Sequence, residues 1–434
     1  MKDEGFVKPA TRSWRWFVFG IASSNFFLSQ LYRASNAVIA PQLIRDLSLS
    51  TEELGLLSAA FFYAFALTQI PISMTLDRIG PRRLMTGLSL LGIAGALIFS
   101  LADSMAWGLI GRLLLGVGMA CNLMGTFKLL TTWFGPERFA TLSGIVFSIG
   151  TAGNMSATTP LVLMVDRLGW RGGFQLIAAV NLLIVLVFFL LVRDRPEEEI
   201  SSDAPVPEGK PSPRGIWGDL PRLFRRRDYW IISFGTFVSY GVFSAFQNLW
   251  AGPFLMDVLK FSPVKSGNAI FLLNLGMLLG GPLMGAASDR VFHGRKWVVI
   301  LGHVFLSFTV LSLAGLPVES GFVLVAGLFL GFGLFRASGL LMYPHIKDLM
   351  PIEMAGTAMT GINFFTMIGS AAFLHGLGSL MQALYPGASR GHDAFQAAFI
   401  LCGVCLLGVV VLYCFTRESG KTGAQSSMFK AARE

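Results

Sequence analysis

Apolar residues fall in runs of about 20–28 positions, the length a helix needs to cross a bilayer, with short polar joints between them. Six runs lie near 15–40, 52–76, 84–102, 105–132, 139–164 and 171–192. Six more lie near 229–257, 266–288, 297–316, 320–349, 355–384 and 394–416. Glycine and proline interrupt several of them, which membrane helices tolerate when neighbouring helices satisfy the freed backbone groups. The pattern predicts an all-α membrane protein with twelve transmembrane helices. Residues 195–228 break it: "RPEEEISSDAPVPEGKPSPRG" is polar and proline-rich, and "LPRLFRRRDYW" is basic and partly apolar. This reads as a cytoplasmic linker ending in a short surface helix held by membrane lipids. The predicted organisation is a six-helix bundle over 1–194, the linker over 195–228, a second six-helix bundle over 229–416 and a cytoplasmic tail over 417–434.

Composition excludes a soluble enzyme. Hydrophobic residues make up 53% and charged residues 14% of the chain, against about 25% charged in soluble domains. The start, "MKDEGFVKPATRSWRW", is too charged to serve as a signal peptide. With the N-terminus inside, 24 of the 34 Lys and Arg residues fall on the cytoplasmic side and 6 outside. That bias places both termini in the cytoplasm. The net charge of +9 is thus an orientation signal and gives no reason to expect nucleic acid. The four cysteines all sit in apolar runs; Cys402 and Cys405 have no His or carboxylate beside them, so they read as packing residues, with no metal and no cofactor.

The two halves repeat each other. "SMTLDRIGPRR" (73–83) matches "GAASDRVFHGRK" (285–296), with Asp77 and Asp289 212 positions apart. "LGVGMA" (115–120) matches "LGFGLF" (330–335) at an offset of 215, and "SGIVF" (143–147) matches "TGINF" (360–364) at 217. Three matches in near-constant register indicate a duplicated six-span unit. The two Asp-Arg loops, with Arg112, Gly116 and Gly118 in span 4, resemble the major facilitator superfamily over essentially the whole chain. In the first loop Ser73 and Pro81 stand where that family has Gly and Arg. The resemblance implies two pseudo-symmetric six-helix bundles, alternating access, and a gating role for Asp77, Arg78, Asp289 and Arg290. It also implies a scaffold or gating role for Arg112. A carboxylate facing a helix N-terminus is favoured by about 0.3–1 kcal/mol, which suits a latch.

The cavity chemistry is cationic. All 25 acidic residues fall in loops, tails or helix ends, whereas Arg33, Arg112, Lys128 and Arg336 lie within spans. Four such charges facing lipid would cost roughly 10–14 kcal/mol, so they should face a wet cavity or backbone carbonyls. A positive cavity without an internal counter-ion attracts an anion. In the family it resembles, spans 1, 4, 7 and 10 line the cavity. Arg33 and Arg336 are the expected anion ligands, with Lys128 as a third contact. Polar stripes at helical spacing run along span 1 (Asn25, Ser29, Tyr32, Asn36) and span 7 (Ser233, Thr236, Tyr240, Ser244, Gln247). Span 11 adds Asn363 and Thr366. Tyr32, Asn36, Tyr240, Gln247 and Asn363 are the expected hydrogen-bonding contacts. His303 and His375 lie in spans 9 and 11 and read as buried, neutral histidines rather than proton relays.

Arg33 and Lys128, which lies five positions before Trp133, resemble the organophosphate:phosphate antiporters. That group's second phosphate-binding arginine lies six positions before a tryptophan in span 7. Counting back from Trp250 gives Ser244, so Arg336 would have to substitute. "YRASNAVIAP" resembles the anion:cation symporters. The expected function is secondary transport of a small organic anion, phosphorylated or carboxylated, by a monomer in a plasma membrane of bacterial inner-membrane type. The partner ion is a counter-transported anion or a proton, and the lack of intramembrane carboxylates favours exchange. The alternative is a proton-coupled multidrug or other efflux transporter. Such an exporter would want a membrane carboxylate and a Gly-Pro pair in span 5, where this chain reads "SIGTAGNMSATTP".

Overall fold

The computed structural model describes residues 12–135, 138–194 and 221–418, and among these every regular element is helical. The helices are α1 (Arg12–Ala34), α2 (Asn36–Leu47), α3 (Thr51–Ile79), α4 (Pro81–Ser100), α5 (Met105–Met119), α6 (Asn122–Phe134), α7 (Phe139–Ser156) and α8 (Thr159–Leu191). After the linker come α9 (Arg227–Ala245), α10 (Pro263–Ala286), α11 (Lys296–Ala314), α12 (Phe322–Arg336), α13 (Met342–Leu349), α14 (Ile352–Leu384) and α15 (His392–Tyr413). Nine helical stretches among the described residues are long and apolar enough to cross a membrane. The surface is inverted relative to a soluble protein. Val323 is 84% exposed and Leu183 62%, while Arg112, Asn36 and His303 are wholly buried. Large apolar side chains on the outside mark a lipid-facing surface.

Local chemistry sets the boundaries. Ser50 and Glu53 form a capping box at the start of α3, the Ser50 N–H donating to the Glu53 carboxylate at 2.8 Å. Gly80 has φ 86°, open to glycine without strain, and Pro81 then takes the first position of α4. The Gly-Pro step that departs from the family pattern is therefore a helix start. Gly169, at φ 66°, divides α8 into pieces over 159–168 and 170–191, separating the predicted fifth and sixth runs.

Several predicted runs are discontinuous. The run 105–132 is two helices, α5 and α6, broken at Ala120 and Cys121. The run 229–257 passes from α9 into π-helical turns at Phe246–Trp250 and Phe254–Val258. The run 320–349 changes at Ala337–Leu341 to a 3₁₀ segment between α12 and α13. Apolar periodicity does not distinguish these from continuous helix, because the apolar content is unchanged where the backbone register slips. Of the predicted linker, 195–220 lies outside the described residues. Residues 221–224 form one helical turn with Leu223 buried, and the Trp230 indole N–H donates to the Phe224 carbonyl at 2.8 Å.

Packing gathers the described residues into two compact units. One takes 12–194 with 246–270 and 374–383; the other takes 221–245, 271–373 and 384–418. In the first, the Trp250 indole N–H donates to the Leu374 carbonyl at 3.1 Å, and Ser379 donates to the Glu52 carboxylate at 3.1 Å. The two sequence repeats and the two packed units thus divide the chain differently.

Candidate functional site: the buried arginines

Arg33 lies in the last turn of α1, one residue before its end, and Arg336 is the final residue of α12. Each sits where its helix is interrupted, before the α1–α2 break and before the 3₁₀ segment. A cation at a helix C-terminus is favoured by the backbone dipole, which offsets part of the burial cost. Arg33 is 7% exposed, donates from Nη1 to Gln30 Oε1 at 3.1 Å, and lies over the rings of Phe62 and Phe65 at 5.0 and 5.8 Å. Arg336 is 3% exposed and lies over Tyr240 and Phe243, both at 5.3 Å. Its Nε and Nη1 have no hydrogen-bond partner among the described residues. Desolvated cation–π contacts contribute about 2 kcal/mol or more.

Arg112 is the third buried arginine, and it is wholly covered. Its Nη1 donates to the Tyr32 carbonyl at 3.1 Å, its Nε and Nη2 have no hydrogen-bond partner among the described residues, and its guanidinium lies over Phe61 and Phe99 at 5.2 and 5.8 Å. These contacts tie α5 to α1, α3 and α4 inside the first unit, a bracing position. Lys128 is half-buried on α6.

The polar stripes meet protein. Tyr32 is fully buried, its ring 6.0 Å from Phe174, and the Asn36 amide donates to Ser58 Oγ at 2.9 Å. The Ser29 hydroxyl reaches the Met119 carbonyl at 3.4 Å, and the Asn122 amide donates to the Asn25 carbonyl at 3.3 Å. Thr236 donates to the Ser233 carbonyl. On the other stripe, Gln247 is buried in the first π turn, and Tyr240 is half-buried under Arg336. Asn363 Oδ1 accepts from the Tyr343 hydroxyl at 3.2 Å, which also meets Thr366 Oγ1 at 3.1 Å. Tyr343 escaped the sequence reading, although its place on α13 opposite α14 gives the Asn363–Thr366 face its partner. So did the phenylalanine rings under the arginines, Phe62 and Phe65 under Arg33, Phe61 and Phe99 under Arg112 and Phe243 under Arg336.

Of the gating residues, Asp289 accepts from Arg295 Nη1 at 2.6 Å, and Arg295 also lies 3.8 Å from Asp348. Arg78 and Arg290 are exposed. The Asp77 side chain lies outside the described residues.

Known proteins match along the whole length. The model of the Major Facilitator Superfamily matches residues 22–374 and again 232–433. The glycerol-3-phosphate transporter of Bacillus subtilis is 27% identical over 89% of this chain and 88% of its own. A probable hexose phosphate transport protein of Chlamydia muridarum is 22% identical over 94% and 92%. Among solved structures, a bacterial homolog of the human lysosomal transporter Spinster, inward-facing and unoccupied, superposes with a TM-score of 0.75 at 18% identity. It covers 93% of this chain and 97% of that one. The family model's match over most of the chain places it in the Major Facilitator Superfamily of membrane transporters.

Proposed function

We propose that the protein is a twelve-span secondary transporter that moves a small organic anion, phosphorylated or carboxylated, by alternating access. Arg33 is the anion ligand of the first unit and Arg336 that of the second. The carrying observation is Arg336, a buried guanidinium at the break between α12 and the 3₁₀ segment whose Nε and Nη1 lack a hydrogen-bond acceptor among the described residues. No helix interior in the sequence supplies a carboxylate to neutralise it. A buried cation is stabilised by an oxyanion that accepts from those nitrogen atoms, and a guanidinium fork suits phosphate or carboxylate. The relatives support this class: besides the two phosphate-ester carriers, they include a hexuronate transporter of Bacillus subtilis and a probable sulfoacetate transporter of Cupriavidus necator. Lys128, Tyr240, Gln247 and Asn363 complete the proposed contacts. The Asp77 and Asp289 loops latch the cytoplasmic side, and both termini lie in the cytoplasm of a bacterial inner membrane.

The test is a thermal-shift panel of glycerol 3-phosphate, a hexose phosphate, glucuronate and sulfoacetate, followed by uptake into proteoliposomes. A true ligand at 100 times its dissociation constant stabilises by about 2.7 kcal/mol. Arg33→Gln and Arg336→Gln each abolish uptake while remaining monodisperse. Full uptake by both variants refutes the anion reading.

A further inference from the structure

His303 on α11 is completely buried and hydrogen-bonded at both ring nitrogen atoms. Nδ1 lies 2.8 Å from the Val299 carbonyl oxygen, and Nε2 lies 2.7 Å from Ser239 Oγ on α9. A carbonyl only accepts, so Nδ1 carries a hydrogen in either charge state, and Nε2 is the atom that titrates. In the neutral ring Nε2 accepts from the Ser239 hydroxyl. In the imidazolium Nε2 donates to the same oxygen, and the hydroxyl hydrogen rotates away. One short contact therefore serves both states.

The charge beside this pair is Arg336. A Cβ placed on Gly339 would strike Arg336 Nη1 and touch Ser239 Oγ, so the guanidinium and the histidine's hydroxyl partner border one small volume. The groups on the elements packed around α11 are few. The 3₁₀ segment brings Ser338, whose Oγ is 3.4 Å from Nδ1 and donates to the Phe335 carbonyl. α9 carries the Tyr240 phenol, which lies under Arg336. α15 carries Cys402, Cys405 and Tyr413 and no charge after Asp393. The π turn at Ala287–Val291 brings Asp289 and Arg290, with Asp289 bound to Arg295. Arg336 is the charge that borders the Ser239–His303 pair.

We propose that His303 is the proton-carrying residue of this transporter, coupled through Ser239 to the anion held by Arg336. This rests on the anion reading above. While Arg336 is empty, its charge adds to the burial of the ring in keeping a proton off Nε2. An anion on Arg336 cancels that charge, Nε2 takes a proton from water on the side of entry, and anion and proton are released together. Linkage makes the effect reciprocal, so a proton on His303 tightens anion binding. The acid-free spans then permit proton coupling without an intramembrane carboxylate.

Two measurements decide it. The first needs no solute: histidine-labelled full-length protein is followed by NMR, and the signal missing from His303→Gln identifies His303 among the five histidines. Arg336→Gln, or Arg336→Met where the first is not monodisperse, mimics the neutralised site. His303 takes its proton at a higher pH in the variant than in the wild type. A His303 that titrates at the same pH in both proteins overturns the proposal. The second uses glucuronate, whose carboxylate stays ionised throughout. Its affinity rises about tenfold from pH 8 to pH 6 in the wild type and is pH-independent in His303→Gln. Binding that is pH-independent in the wild type overturns the coupling. Absence of glucuronate binding counts against the substrate reading instead and leaves the NMR result to decide this one.

Discussion

The pairing of α4 with the second piece of α8, and of α11 with α15, is one design built twice. At the start of α4 the Asp194 carboxylate accepts from the Arg82 backbone N–H at 2.7 Å. At the start of α11 the Glu418 carboxylate accepts from the N–H groups of Arg295 and Lys296 at 3.0 and 3.2 Å. At the far ends, Arg171 donates to the Ala102 carbonyl at 2.7 Å, and Gln396 donates to the Ala314 carbonyl at 3.2 Å. Each pair thus places an acceptor on a helix N-terminus and a donor on a helix C-terminus, satisfying groups that a helix leaves open. The interiors differ. The first unit buries Arg33 and Arg112 among phenylalanines; the second buries Arg336 beside a histidine–serine pair. The two units share the groups that hold helix ends together and differ in what surrounds their buried arginines.

The comparison breaks hardest at the helix crossings. Gly116 abuts the Phe61 carbonyl, and Gly333 abuts the Leu273 carbonyl and the Met277 amide, so a side chain at either meets backbone. Gly116→Leu and Gly333→Leu should each cost about 3 kcal/mol or more, read as loss of monodisperse protein and a lowered Tm. Equal losses support equivalent crossings; a tolerant Gly333→Leu shows that the second bundle packs more loosely.

Next come the arginines, where the halves should differ. Arg112→Met exchanges a buried cation for an apolar chain of similar length and removes the hydrogen bond to the Tyr32 carbonyl. It should retain the anion-induced stabilisation of about 2.7 kcal/mol at saturating ligand, and Arg336→Met should lose it. Thermal unfolding with and without anion separates brace from ligand.

The end ties follow in size. Asp194→Ala should cost about 1 kcal/mol, and Glu418→Ala less, since the Glu418 side chain is exposed. Hydrogen exchange at Arg82 and at Lys296 reads each helix start separately.

The smallest effect is one of pH, in the first repeat. The Trp170 indole N–H donates to Asp46 at 2.9 Å, and Arg171 and Arg45 lie at 2.8 and 3.1 Å. The Trp170 hydrogen bond, opposed by burial and joined by the Arg45 hydrogen bond and the Arg45 and Arg171 charges, holds the Asp46 carboxyl below its usual value. A lowered folded pKa means stabilisation present above about pH 3.9 and lost as pH falls through the folded value. Asp46→Asn should remove at most about 1 kcal/mol at neutral pH and flatten the acid limb of the unfolding profile. An unchanged acid limb means the cluster contributes nothing to folding.

Much of the site was legible because burying charge is costly: Arg33, Arg112 and Arg336 stand out in any apolar run, and all three are buried. The roles of their neighbours were not legible. Tyr32 and Asn36 share a helical stripe with Ser29, and that stripe packs inside the first unit. Helical spacing identifies a face without identifying what covers it.

The sequence by itself determined the helical membrane class, the duplication and the positions of the buried cations. Those follow from local quantities: the length of an apolar run, the repetition of a loop motif, the presence of a charge where water is absent. Tertiary structure alone decided that Gly80 and Pro81 start a helix facing Asp194, and that Glu418 does for α11 what Asp194 does for α4. It also decided that Ser239, His303 and Arg336, 97 residues apart from first to last, border one volume. Hydrogen bonds and electrostatic coupling act over a few ångströms, and for residues this far apart only the packing of helices sets that distance.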